Sequence, residues 1–478
     1  MIRLACASLL VALPSLGGAA LAETSPEQAA AASDRILAAL VEVNGVPGMG
    51  AAVWRDGELI WSGSAGYADA EARRPVDGDT VFRLASVSKL FAVTAAGRLR
   101  QEGRLDVDAP VRDRLTWLPD RWPPLTSRQL AAHISGLPHY QAVDEARGAR
   151  RYASVREAVG IFQDRDLLTP PGETYQYSSW GYTLLSAVVE ESAGRPYLDY
   201  LRETITPGLR IGADPTDSGD PHASTAYDYE GDALIRAAPH DLSYTWGGGG
   251  MAATAPDLAT WGGRLLSGEV VTPETLAWMT TPARLNNESE VEEGAYKVGF
   301  GWRIADDRDG RRLFHHAGVT VGARSLLLLY PDQATSVSVL SNAPWVSAIE
   351  QTGQMLAAPF TPAAGDAAFV DCPVATTAYD GTYDGKSLTG EARFALEDGL
   401  CVGRLSLDGA TPLAKWLNDF PQKDAADLPV VSVTPDRGLA RAALVTPVGA
   451  YDMRSLDGSR YQVRFGGTQS RWLELTLR

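Results

Sequence analysis

The strongest constraint on the fold is where the strand signals fall along the chain. Met49–Trp54 and Leu59–Gly66 flank Arg55-Asp56-Gly57-Glu58, and an Asp-Gly pair between apolar runs predicts a β-hairpin. Strand patterns return only far downstream, at Lys297–Ile304, Arg312–His316, Ala323–Tyr330 and Ser336–Leu340, with turns at Asp309-Gly310 and Pro331-Asp332. Pro26–Val43 before the hairpin reads as an amphipathic helix, with Ile36, Leu37, Leu40 and Val41 on one face. Trp345–Leu356 reads as a second helix after the last strand. Two strands cannot form a stable layer alone, so both sets are expected in one antiparallel sheet built from the two ends of the segment and flanked by helices. The class is α/β of the α+β type.

Between these ends, from about 104 to 245, short helical patterns alternate with Pro/Gly connections such as Pro123-Pro124, Pro170-Pro171-Gly172 and Pro207-Gly208. This stretch is expected to be a mostly helical insertion. Thr126–His133 starts a helix that breaks at Ser135-Gly136-Leu137-Pro138, and Gly181–Ala193 is a helix stopped by Gly194. The Gly247–Gly250 run precedes a helix capped by Thr254 with Asp257 reaching back. No Gly-Lys-Ser/Thr follows it, so close backbone packing is the expected reason for the glycines.

Beyond a Pro/Ala/Gly-rich junction from Pro359 to Ala368 the pattern changes to short runs between turn signals: Asp380-Gly381, Asp384-Gly385, Asp398-Gly399, Asp408-Gly409 and Asp457-Gly458. Arg460–Phe465 and Arg471–Leu477 read as strands, so 365–478 is expected to be a small all-β barrel or sandwich. The preceding unit is taken as residues 23–362.

Met1-Ile2-Arg3, an apolar run through Leu16 and the small-residue end Ala20-Leu21-Ala22 read as a signal peptide over 1–22, cleaved before Glu23. A periplasmic or secreted, soluble protein is the expectation, with no membrane span. Losing Arg3 takes the formal charge from −16 to −17, which leaves no electrostatic footprint for nucleic acid. Cys372 and Cys401 remain in the mature chain, and in an oxidising compartment they can close one disulfide, contributing on the order of 3 kcal/mol. Two thiols without nearby histidines do not make a zinc site. No metal or organic cofactor is implied.

The chemistry centres on Phe82-Arg83-Leu84-Ala85-Ser86-Val87-Ser88-Lys89-Leu90-Phe91, a loop entering a helix that runs to Gly103. Serine and lysine three apart share one helix face, and a desolvated amine can take the proton that a serine must lose to attack. Basic-residue usage marks this lysine out. Only five of 43 Lys+Arg are lysine (Lys89, Lys297, Lys386, Lys415, Lys423), and Lys89 is the sole lysine in the first 296 residues. Arginine, used everywhere else in that span, cannot lose its proton at working pH.

Three further features fit a site around Ser86. The stretch Tyr175-Gln176-Tyr177-Ser178-Ser179-Trp180-Gly181-Tyr182 sits where a loop meets a helix N-terminus, and a tyrosine of it held beside Lys89 can relay a proton. His315-His316-Ala317-Gly318 on a strand edge offers close substrate approach at Gly318. The N–H groups of Ser86 and Val319 are the candidate oxyanion hole. The other histidines read as structural: His133 and His139 satisfy backbone groups, His222 and His240 lie in polar loops, and His315 faces away from His316. Arg324, Trp180 and Trp246 line the pocket or pack in the core. Neither His-Glu-x-x-His nor Gly-x-Ser-x-Gly occurs.

Over roughly residues 30–360 the sequence resembles the serine β-lactamases of class C and their relatives, the DD-peptidases, D-aminopeptidases and esterases of the penicillin-recognising, β-lactamase/transpeptidase-like fold. Ser86-Val87-Ser88-Lys89 is similar to the nucleophile motif, Tyr177-Ser178-Ser179 to Tyr-x-Asn, and His316-Ala317-Gly318 to Lys-Thr-Gly. Gly103–Val111 and Leu130–Pro138 are similar to flanking family signatures. The resemblance implies nucleophile Ser86, base partner Lys89, proton relay Tyr177, and substrate contacts at Ser179, His316, Ala317 and Gly318.

Two departures bear on substrate. Ser179 stands where asparagine is usual, with a shorter side chain and one donor. His316 replaces lysine, and neither Ala317 nor Val319 carries a hydroxyl, so the site is poorly equipped for the free carboxylate of penicillins and D-Ala-D-Ala peptides. The expectation is an exported serine hydrolase that forms an acyl-enzyme on a small amide, ester or D-residue peptide. The alternatives are a β-lactamase, or a non-hydrolysing penicillin-binding, sensor or wall-binding protein. The partners expected are small-molecule or short-peptide substrates, together with cell-wall material.

Overall fold

Met49 pairs with Ser341 and Arg55 with Thr335, so in the computed structural model the first strand and the last strand of the sheet lie side by side. The structure describes residues 24–215, 219–231, 233–361, 368–418, 426–466 and 471–478; the signal-peptide expectation, with its cleavage before Glu23, lies outside them. The sheet has nine strands, all pairs antiparallel. It runs from Arg74–Pro75 through Glu58–Asp69, Gly48–Arg55, Thr335–Ser341, Ala323–Tyr330, Arg312–Thr320, Arg303–Asp306 and Tyr296–Val298 to Glu292–Glu293.

Strand alternation separates two cores. Ala52, Trp54, Leu327 and Leu329 face helix Ser88–Gln101 and helix Ala255–Leu266, while Ala51, Val53, Leu326 and Leu328 face helix Pro26–Asn44 and helix Ile349–Ala357. The hairpin forms as expected, with Asp56 and Gly57 both at positive φ (50° and 101°), as a two-residue turn of the favoured hand requires.

Several details differ from the sequence expectation. Lys297–Ile304 is two short strands, Tyr296–Val298 and Arg303–Asp306, because Gly301 at φ 83° lets Gly299–Trp302 reverse the chain. Strands Ile211–Ala213, Tyr227–Glu230 and Ala233–Arg236 interrupt the insertion between its helices. Asp380-Gly381 lies inside strand Thr376–Tyr383 rather than in a turn; a Cβ at Gly381 would meet the Glu474 carbonyl at 2.4 Å, so close interstrand approach explains that glycine.

The C-terminal strands close into an eight-stranded barrel that includes Cys372–Cys401 as a disulfide at its start. Full closure removes the edge strands an open sandwich would expose. The barrel is not merely tethered: Val431, Val433, Ala443, Val445 and Ala450 share one hydrophobic cluster with Ile36, Leu40 and Leu356. Ala348 N–H donates to the Val448 carbonyl at 2.8 Å, and Ala450 N–H donates to Thr352 Oγ1 at 3.1 Å. Among the described residues no helix is long and apolar enough to cross a membrane.

Candidate active site

Ser86 occupies a short 3-10 turn (Ala85–Val87) that runs directly into helix Ser88–Gln101. Ala85, immediately before it, sits at φ 45°, a conformation a side-chain-bearing residue adopts only when its surroundings enforce it. The resulting sharp entry leaves Ser86 partly exposed on a helix whose next residues are buried.

One turn on, Lys89 is fully buried. Its Nζ donates to Ser179 Oγ at 2.9 Å and to the Gly248 carbonyl at 2.5 Å, and lies 3.2 Å from Ser86 Oγ. Among the described residues no carboxylate hydrogen-bonds to it or ion-pairs with it. Burial therefore drives its pKa down from 10.5, against a smaller opposing pull from Tyr177. A neutral amine with both N–H bonds engaged by Ser179 and Gly248 has its lone pair left for Ser86.

Tyr177 Oη donates to Ser86 Oγ at 2.8 Å. The tyrosine is held at the mouth of helix Ser179–Ala193, which Ser178 caps by accepting from Gly181 N–H at 3.0 Å. Two histidines bracket it. His133 lies against the Tyr177 ring with centroids 4.3 Å apart, and His139 meets it edge-on at 5.3 Å. Nδ1 of His133 accepts from Ser178 N–H at 3.1 Å, and Nδ1 of His139 from Ser179 N–H at 3.2 Å. Both rings must be neutral to accept. Burial holds His133 well below the usual histidine range and His139 at about 4. The backbone groups they satisfy are some 40 residues away in sequence, on the element that carries Tyr177 and Ser179.

Gly318 comes so close that an added Cβ would meet Leu84 O at 2.4 Å and Ser86 N at 2.8 Å. On the Arg312–Thr320 strand, the pairing with Arg303–Asp306 reaches only from Arg312 to His315, so among the described residues His316–Thr320 has no strand neighbour on that side. The interior strand thus becomes an edge just where it passes Ser86. His316 is buried on the site face, its Nδ1 2.7 Å from the Ala317 carbonyl, and burial keeps it neutral. Ala317 points away, into the cluster around Leu326 on the opposite face, so its methyl is no wall of this cleft. Val319 is 54% exposed beside it.

Trp180 is fully buried, stacked on Phe162 at 4.9 Å, and belongs to the core. Arg324 is turned to the Ser347 carbonyl at 3.0 Å. Sequence reasoning missed the Gly248 carbonyl as a partner of Lys89; the glycine run was the only signal, and it pointed to packing. No group of three or more His, Cys, Asp or Glu suited to a metal ion occurs among the described residues.

Known proteins share this frame. A family model described as Beta-lactamase matches residues 33–357. The human protein described as "Serine beta-lactamase-like protein LACTB, mitochondrial" is 26% identical, over 63% of this chain and 72% of its own length. The solved D-stereospecific amidohydrolase from Streptomyces sp. superposes with a TM-score of 0.55 at 27% identity, covering 66% of this chain and 95% of that one. An octameric penicillin-binding protein homologue from Pyrococcus abyssi superposes over 93% of this chain and 99% of its own, a span that takes in the barrel, with a TM-score of 0.57; at 19% identity that likeness speaks to fold alone.

Proposed function

The chain belongs to the beta-lactamase family and is a serine hydrolase; from that premise we propose that it acts through an acyl-enzyme on Ser86, with small esters and amides of D-configured residues as substrates. The observation that carries this reading is the placement of Ser86 Oγ between Tyr177 Oη at 2.8 Å and Lys89 Nζ at 3.2 Å.

In the proposed cycle neutral Lys89 takes the Ser86 proton as Oγ attacks the substrate carbonyl, and charge builds on the carbonyl oxygen. The N–H groups of Ser86 and Val319 receive that oxyanion. Tyr177 passes a proton to the leaving group and is resupplied from Lys89, whose cationic form is costly in its buried place and so readily gives the proton up. Water then reverses these steps to release the acyl group.

Substrate choice follows from charge. His316 is held neutral, and the groups hydrogen-bonded to Ser86 are a phenol and a buried amine. Arg303, whose charge reaches His316, is already paired with Glu293, which leaves little to hold a substrate carboxylate. A substrate with no carboxylate beside the scissile bond is therefore favoured over a penicillin or a D-Ala-D-Ala terminus. The similarity to a D-stereospecific amidohydrolase supports the D-amide part of the reading. Export is the other part, carried by the N-terminal leader pattern.

The test compares turnover of p-nitrophenyl acetate, D- and L-alanine p-nitroanilides and a chromogenic cephalosporin. The proposal expects the ester and the D-anilide to be cleaved at least tenfold faster than the L-anilide and the cephalosporin. A cephalosporin turned over faster than the ester would overturn it.

A further inference from the structure

His315 sits on the strand that carries His316 but faces the other way, and it is 1% exposed. Both of its ring nitrogens lack a hydrogen-bond partner among the described residues. Tyr296 meets the ring edge-on at 4.6 Å, which is packing rather than a hydrogen bond. Burial and the Arg303 charge hold the imidazole neutral, with a pKa of about 3, so it presents one donor and one acceptor. A buried ring with both positions unmet is unusual in a folded protein and marks a place where something else supplies the partners.

His315 lines a cavity of about 490 Å³ on the reverse side of the sheet from Ser86. The Arg303–Asp306 strand, the start of helix Ile349–Ala357 and barrel residues Asp452 and Arg464 form the other walls. Of the five carboxylates in the lining, four are committed. Glu293 is bound to Arg303 at 2.8 Å, Asp306 to Arg312 at 2.7 Å, Asp307 to Arg311 at 3.8 Å and Asp452 to Arg454 at 2.7 Å. Glu350 alone makes no hydrogen bond or ion pair among the described residues; the Arg324 guanidinium, which feels its charge, gives its hydrogen bond to Ser347.

We propose that this cavity is a second binding site, separate from the Ser86 cleft, for a small ammonium-bearing molecule of amino-acid or amino-amide size. Glu350 receives the ammonium group, and His315 pairs with the ligand's amide or carboxyl end. The volume suits such a molecule with accompanying water. The barrel contributes Asp452, Arg464 and Gly466 to the lining, so the site draws on the whole chain rather than on the catalytic unit alone.

The test uses the full chain labelled with ¹⁵N in its histidine rings, which reads His315 directly and does not depend on turnover at Ser86. His315→Phe assigns the signals, and His315→Asn serves if that variant does not fold. Glycinamide is the probe and N-acetylglycinamide, which lacks the charge, the control. Glycinamide is expected to shift the His315 signals saturably, with at least tenfold weaker binding in Glu350→Gln and no shift by the control. Absence of a His315 shift up to about 50 mM glycinamide, a concentration that reveals even very weak complexes, would overturn the proposal. So would a shift that Glu350→Gln leaves unchanged, or one confined to His316, which would place the probe in the Ser86 cleft.

Discussion

Tyr177 Oη is closer to Ser86 Oγ, at 2.8 Å, than Lys89 Nζ is, at 3.2 Å. As the proposed nucleophile, Ser86 therefore has two proton partners suited to different tasks: a buried amine able to take its proton, and a phenol able to hand one to the leaving group. Tyr177→Phe keeps the ring against His133 and removes only the hydroxyl. Its kcat for an anilide is expected to fall by roughly 10²–10⁴-fold, with KM changed little. Steady-state kinetics on the wild type and Tyr177→Phe read this, and an unchanged kcat would assign the relay elsewhere.

Lys89 has a pKa pushed below 10.5 by burial. Between that lowered value and 10.5 the unfolded chain binds a proton that the folded chain does not, so this group makes stability rise with pH across that window. Lys89→Met is expected to flatten the rise in urea titrations repeated from neutral to alkaline pH. The same residue makes acylation fall as pH drops through its lowered pKa. Lys89→Arg, which cannot lose its proton, is expected to lose at least 10²-fold in activity at every pH.

Gly318 is required by space rather than by backbone angle. The Cβ of Gly318→Ala would sit 2.4 Å from Leu84 O, 2.5 Å from Ser325 Oγ and 2.8 Å from Ser86 N. The strand must move away from Ser86, which widens the gap in which the oxyanion is to be held. A loss of about 1–3 kcal/mol in stability is expected from the overpacking, and a fall in kcat of about 10²-fold or more from the misplaced donors. Thermal denaturation and ester kinetics on Gly318→Ala separate the two effects.

The barrel shares its apolar seam with helix Pro26–Asn44 and helix Ile349–Ala357, and Arg35 and Arg404 add ion pairs across it, both at 2.6 Å. Removing residues 368–478 exposes that seam. The truncated chain is expected to aggregate or to unfold at least 10 °C lower than the full chain, as the loss of several kcal/mol of packing implies. A soluble, active truncation with an unchanged midpoint would make the barrel a detachable module.

Much of this architecture was legible in sequence because it rests on short-range signals. The Asp56-Gly57 hairpin, Thr254 as a cap, and the strands Ala323–Tyr330, Arg460–Phe465 and Arg471–Leu477 all follow from local pattern. Ser86 and Lys89 were singled out by their spacing, Tyr177 and Ser179 by resemblance to a family motif, and the structure brings all four together. What sequence could not show are meetings between distant segments: Gly248 with Lys89, the two histidines behind Tyr177, and the barrel seam. The reversal at Gly299–Trp302 was hidden because the alternation of Lys297–Ile304 reads through it. Ala317 was assigned to the cleft by position in a motif, whereas strand alternation sends its side chain to the other face.

The central claim, that Ser86 is the nucleophile, is tested most directly by intact-protein mass after exposure to a fluorophosphonate, for wild type and Ser86→Ala. A single phosphonyl adduct is expected on the wild type, none on a folded Ser86→Ala, and loss of p-nitrophenyl ester turnover in both the labelled wild type and the variant. An adduct on Ser86→Ala, or ester turnover that survives the substitution, would contradict it.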